Sequence, residues 1–348
     1  MIEIGGLIIP TAQRQRIEIP VARLPTQTLI TLPVTVINGS QTGPILWLSA
    51  AIHGDEINGV EIIRQVLQKI SPSLLRGTII AVPIVNIFGF IEQSRYLPDR
   101  RDLNRSFPGS NRGSLGSRLA HLFMAEIVSK STHGIDLHTA SEHRKNLPQI
   151  RANLHDSRTY ECAKAFAAPV TIHSQTRDGS LRQAATKRGI PVLLYEAGEA
   201  LRFDDNAIKV GVEGIMQVMG ALNMYPQETC IDPQPTVQVY DTKWVRASSS
   251  GILRLDVKLG QKVTKKQVLG TISDAFGEKN TTVNASCTGI VIGSLQNPLV
   301  NQGDAIVHIA VLSATDSQKA DSSYRIDEVQ SFITLGNTGT GNRKHRNK

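Results

Sequence analysis

Between Ile45 and Ile52 the chain is apolar at nearly every position, and it then turns abruptly polar at His53-Gly54-Asp55-Glu56. A run this short and this uniformly apolar reads as a strand buried on both faces of a mainly parallel sheet. Beyond it the spacing changes. Ile57, Val60, Ile63, Val66, Leu67 and Ile70 recur three and four residues apart, which predicts a helix, with Asp55 placed to cap it. Strand, polar turn and helix follow one another, and in open α/β sheets that turn, at the carboxyl edge, is where ligands bind.

The same alternation continues. Gly77 to Asn86 reads as a second buried strand, Gly134 to Ala140 as a short one ending in a polar turn, and Ile190 to Tyr195 as another that ends at Glu196-Ala197-Gly198-Glu199. Helices are expected over residues 115–130, around 160–168 and 180–188, and over 206–219. Residues 87–116 are irregular and rich in Arg, Asp, Asn, Pro and Gly, and a loop of that length in a compact domain is usually functional. Ahead of Ile45, short β-like runs at 17–19, 29–32 and 34–37, with turn signals such as Asn38-Gly39-Ser40, read as antiparallel strands flanking the sheet.

Beyond Pro226 the texture changes. Asp232-Pro233-Gln234-Pro235 reads as a linker, and Val237 to Leu312 shows short strands separated by glycines with almost no helical period. From about Ala314 the chain is polar and poor in large apolar residues. The expected organisation is an α/β domain over residues 1–232, a small all-β domain over 233–313 and a polar, disordered tail over 314–348, and the length of 348 residues suits more than one domain.

Composition narrows the function classes. Hydrophobic residues make up 40% and charged residues 20%, as in a soluble globular protein. No apolar run approaches the ~18 residues of a membrane span, and Met1 to Gly6 lack the basic-then-apolar order of a leader, so the expected location is the cytoplasm and no membrane partner is expected. Three scattered cysteines, Cys162, Cys230 and Cys287, fit a reducing compartment. The net charge of +8 is concentrated at Arg343, Lys344, Arg346 and Lys348 and between Arg95 and Arg118. The second cluster lies beside the expected site, so a positive cleft for a small anion accounts for it better than nucleic acid.

Four strand ends deliver polar groups to one edge: His53 and Glu56, Asn86, His138, and Glu196 or Glu199. Two imidazoles and a carboxylate suit catalytic zinc, because three protein ligands leave a coordination position open. Such a metal acidifies water and polarises a carbonyl. His53 and Glu56 supply a short His-x-x-Glu pair, and His138 arrives on a separate strand. A lone histidine at a strand end is usually a polar cap; here Glu56 and His138 complete a set. His121, His133, His143, His155 and His173 have no ligand partner at suitable spacing.

After His53-Gly54-Asp55-Glu56 come, in order, Pro83 to Phe90, Arg95-Tyr96-Leu97, Arg101 to Gly109, Asp136-Leu137-His138-Thr139 and Tyr195-Glu196-Ala197-Gly198. Over about residues 40–225 this ordered set resembles the succinylglutamate desuccinylase/aspartoacylase family of zinc-carboxypeptidase-like hydrolases. The resemblance implies a mixed, mainly parallel sheet flanked by helices. It also implies one zinc per chain on His53, Glu56 and His138, with Glu196 as general base and Glu199 as its substitute. Arg95 corresponds to the arginine that supports the oxyanion, with Arg101 as the alternative, and Asn104 and Arg105 to the pair that grips a substrate carboxylate; Asp102 stands behind them.

The expected activity is zinc-dependent removal of an acyl group from an N-acyl amino acid or a similar small anionic amide. A carboxypeptidase or peptide amidase on the same scaffold is the enzymatic alternative. Ala247 to Ile252, Gly260 to Val263, Val268 to Gly270, Ala285 to Val291 and Gly303 to Ala305 resemble a biotinyl/lipoyl-carrier-like β domain. A carrier would modify a lysine near Lys279. That lysine lacks the flanking pattern, so an unmodified module that packs near the site or forms a homo-oligomer contact is expected.

Overall fold

The computed structural model describes residues 1–226 and 236–312, so the expected linker at 232–235 and tail at 314–348 lie outside the described residues. A small hairpin of β1 (Ile2–Ile4) and β2 (Leu7–Ile9) leads into two long antiparallel strands, β3 (Gln13–Arg23) and β4 (Leu29–Asn38). The runs at 29–32 and 34–37 are therefore one strand. Pro33 is tolerated inside it because the pairing of β4 with its other neighbour begins only at Thr35, so no ladder bond is lost on that side.

The apolar run forms β5 (Gln41–Ala50), followed by α1 (Asn58–Lys69), β6 (Arg76–Val82), α2 (Ile87–Ile91) and, after the long irregular loop, α3 (Leu115–Glu126). Next come β7 (His133–His138), β8 (Arg144–Ala152), α4 (Ser157–Phe166), β9 (Val170–His173), α5 (Leu181–Thr186), β10 (Val192–Gly198) and α6 (Asp205–Ala221). Strands β6, β5, β7 and β10 lie side by side and parallel, with β4 antiparallel on one flank and β8 antiparallel on the other. Alternation along β5 decides the layers. Leu46, Leu48 and Ala50 pack under α1, α4 and α6, whereas Trp47 faces the opposite layer with Phe123 of α3, Phe88 of α2 and the N-terminal strands.

Two strands in the stretch 141–188, β8 and β9, are absent from the sequence reading, which placed only helices there. Past the linker, β11 (Val237–Val239) joins β9 in parallel. The strands β12 (Thr242–Arg246), β13 (Gly251–Leu255), β14 (Lys262–Val263), β15 (Val268–Ser273), β16 (Asn280–Asn284), β17 (Gly289–Leu295), β18 (Leu299–Val300) and β19 (Ala305–Val311) make an all-β region, as expected. Strands β16, β15, β13 and β18 form one sheet; β12, β19 and β17 form the other and continue the main sheet, because β17 pairs with β8. Val245, Leu269, Ile272, Val291, Ile306 and Ile309 fill the space between the two sheets. Among the described residues no helix is long and apolar enough to cross a membrane.

Candidate metal centre and active site

Residues 51–57 form a tight turn between β5 and α1. Ala51 takes a left-handed φ of +49°, and the Glu56 N–H donates to the His53 carbonyl at 3.1 Å. Gly54 donates to the Ser94 carbonyl, and a Cβ on it would stand 1.9 Å from the backbone carbon of Gly89. Only glycine fits that approach. The turn uses residues that the helical spacing had claimed, so α1 starts at Asn58 and Asp55 is not its cap. The Asp55 carbonyl instead accepts from Leu201 N, and its buried Oδ1 has no protein partner. Asn86 likewise serves the backbone: it caps α2, accepting from Gly89 N at 2.9 Å.

His53, Glu56 and His138 converge with one ligand atom from each within 4.8 Å of one another, all three buried. Both imidazoles turn Nδ1 toward Glu56, at 2.7 Å from Oε1 for His53 and 2.7 Å from Oε2 for His138. Their Nε2 atoms face carboxylates instead, Asp102 at 3.2 Å and Asp136 at 2.9 Å. The outer carboxylates thus fix the ring orientation and direct Nδ1 inward, as carboxylate partners of metal-binding histidines do. Asp136 is itself held: Ser49 Oγ donates to it at 2.7 Å and receives a bond from Trp47 Nε1 at 3.3 Å. A chain of contacts therefore runs from Trp47 to His138.

The electrostatics fit a cation at the convergence point. Burial alone would push the Glu56 carboxyl upward, but the adjacent imidazoles outweigh it and hold it well below the usual carboxylate range. Burial opposes protonation of His53 and His138 too, yet Glu56 with Asp102 and Asp136 with Glu56 raise them, His138 the more strongly. Asp102 is depressed against its burial by His53 and Arg95. Two carboxylate-backed imidazole nitrogens facing a third carboxylate need positive charge between them. A divalent metal with nitrogen and oxygen preference suits those three atoms.

Of Arg95 and Arg101, Arg95 reaches the group, 3.3 Å from Glu56 Oε1 and 3.1 Å from Asp102 Oδ2. Arg101 lies in solvent and pairs with Asp99. Asn104 is buried, its Oδ1 accepting from Leu181 N at the start of α5, and Arg105 is exposed with no acidic partner among the described residues. Glu196 lies in β10 next to His138 in register, so the two share a sheet face. Glu199 pairs with Arg202 outside that row. On the other side of Glu196, β8 contributes groups that sequence reasoning missed: Asn146 Nδ2 donates to Glu196 Oε2 at 2.9 Å and Arg151 lies 3.4 Å from the same oxygen. Gln149, directly opposite Glu196, is fully buried with both amide atoms unpartnered. The run Asn146-Leu147-Pro148-Gln149-Ile150-Arg151, polar groups alternating with apolar ones around a proline, was the available signal.

The family model for the succinylglutamate desuccinylase/aspartoacylase catalytic domain matches residues 42–222, more than half of the chain. The chain belongs to this family. An N-alpha-acetyl-L-2,4-diaminobutyric acid deacetylase of Halomonas elongata is 27% identical to this family member over 294 residues, covering 81% of this chain and 86% of the relative. The succinylglutamate desuccinylase of Pseudomonas aeruginosa is 31% identical over 122 residues, 31% of this chain and 35% of the relative. Among solved structures, a succinylglutamate desuccinylase/aspartoacylase from Rhodobacter sphaeroides superposes with a TM-score of 0.75 at 25% identity, over 85% of this chain and 95% of the other. The ectoine utilization protein EutE (DoeB) of Ruegeria pomeroyi, at 24% identity, shares the fold with a TM-score of 0.78 over 87% and 98% of the two chains. The likeness to both structures extends past the catalytic match into the C-terminal β region.

Proposed function

We propose that this family member is a zinc-dependent amidohydrolase that removes the acyl group from an N-acyl amino acid or a similar small carboxylate-bearing amide, with one zinc per chain on His53, Glu56 and His138. The observation that carries the reading is the convergence of those three buried ligand atoms within 4.8 Å, each histidine backed by its own carboxylate. The two curated relatives above are named for removing acetyl and succinyl groups from amino acids, which supports the substrate class. Free buried thiols at Cys162 and Cys287 agree with a cytoplasmic setting.

Zinc, when bound, supplies Lewis acidity toward water and the acyl carbonyl. The chain supplies the rest. Glu196 takes a proton from the attacking water and passes it to the leaving amine. Arg95 stabilises the oxyanion, and Asp102 keeps that guanidinium beside the ligands. Arg105, with Asn104, anchors the substrate carboxylate through its planar fork.

Elemental analysis of the purified chain and of His138→Ala tests the ligand set: about one zinc per chain in the first and a large loss in the second is the outcome expected of a three-ligand site. Release of amine from N-acetyl and N-succinyl amino acids, in competition with dipeptides, tests the substrate class. A chain that takes up no zinc on reconstitution would end the metallohydrolase reading, and preference for dipeptides would favour the peptidase alternative.

A further inference from the structure

The all-β region has no ligand or catalytic residue in the reading above, yet it touches the proposed general base through one intermediate. Strand β17 pairs with β8 at Gly293 and Asn146, and Asn146 is the residue that donates to Glu196 Oε2 at 2.9 Å. A Cβ on Gly293 would stand 2.9 Å from Asn146 Oδ1 and 3.3 Å from the Cβ of His308 on β19. The missing side chain therefore leaves the space in which the Asn146 amide sits, with Oδ1 toward β17 and Nδ2 toward the base. Between Glu196 and Gly198 the pairing of β10 with β8 shifts register, which brings Asn146 to the face of the carboxylate.

We infer that Asn146 is a positioning residue for the general base, and that the C-terminal β region acts in catalysis by seating it through Gly293. The inference rests on Glu196 as the base. One carboxylate oxygen is occupied by Asn146 and Arg151, so the other is the oxygen left to exchange a proton with water and the leaving amine. Losing the amide would free the carboxylate to rotate, and misplacement of a reacting group by about 1 Å costs on the order of 100-fold in rate.

The test uses the zinc-loaded full chain and a double-mutant cycle. Asn146→Ala should lower kcat by about 10- to 100-fold with KM and zinc content unchanged. Gly293→Ala should show the same signature at smaller size, since the clash falls on the end of a side chain that can swing aside without unfolding the strand. In the Asn146→Ala background Gly293→Ala should cost nothing further, because it acts through the amide already removed. If Asn146→Ala proves unstable, Asn146→Asp keeps the shape without the donor and should lower kcat at least as much, again with KM and zinc content unchanged. Additive losses, or wild-type kcat in Asn146→Ala, would overturn the inference. Glu196→Gln, assayed alongside, separates the two readings. If it stays active, the base assignment falls and takes the inference with it. An inactive Glu196→Gln beside a fully active Asn146→Ala overturns the inference alone.

Discussion

His308 is a buried imidazole without a charge partner. Its ring stacks on Trp244 at 4.3 Å, its Nδ1 has no protein partner, and burial, reinforced by the charge of Arg151, pushes its pKa down to about 3. In the unfolded chain it titrates near about 6.5. Between those values the unfolded state binds the proton and the folded state does not, so folding loses stability as pH falls through that window. The slope is at most about 1.4 kcal/mol per pH unit, and above about pH 6.5 the group contributes nothing. Thermal midpoints from pH 7.5 to 4 should fall faster for the wild type than for His308→Phe, which keeps a ring against Trp244; parallel curves would remove His308 as the cause. Gln149 shows the same tension in uncharged form. Its two amide atoms are buried without partners, a cost that a leucine would avoid, and it lies opposite Glu196.

At the scale of elements, the turn after β5 is where local and tertiary demands conflict. Helical spacing from Ile57 was legible in the sequence, as were strands β5, β7 and β10, because each is a run of side chains buried by its own period; β10 runs on through Glu196 to Gly198, past the expected end at Tyr195. The start of α1 was not, because Gly54 must approach Gly89 more closely than any Cβ permits, and no local pattern encodes a contact so distant in the chain. Gly54→Ala is therefore expected to cost about 3 kcal/mol or more and to lose zinc with it, since it displaces both His53 and Glu56. Urea unfolding together with metal content checks this, and a stable variant with full zinc would contradict it. Strand β8 escaped the reading for a related reason. Pro148 and a register shift break its alternation, and it is held as a strand by β10 and β17, neither of which adjoins it in sequence. The grouping of His53, Glu56 and His138 was legible because these residues end or follow strands; Asn146, Gln149 and Arg151 were not, because their contacts come from facing Glu196 across a strand pair.

For the whole molecule, the pairing of β17 with β8 carries one sheet from the N-terminal strands past the His53-Glu56-His138 group into the β region. Composition marked the change of texture near Pro226, but it could not show that hydrogen bonds cross it. The sequence holds two tryptophans, and the sheet places them apart: Trp47, fully buried, lies three hydrogen bonds from His138, and Trp244, 36% exposed, stacks on His308. The molecule thus carries a separate optical probe in each part. Zinc added to the metal-free protein should alter the blue-shifted emission of Trp47, measured in Trp244→Phe. Acid approaching pH 3, where the folded His308 takes up its proton, should first alter the red-shifted emission of Trp244, measured in Trp47→Phe. If the two emissions respond together to each perturbation, the β region and the metal centre are coupled as one optical and mechanical unit; separate responses would show that the shared sheet transmits position without transmitting motion.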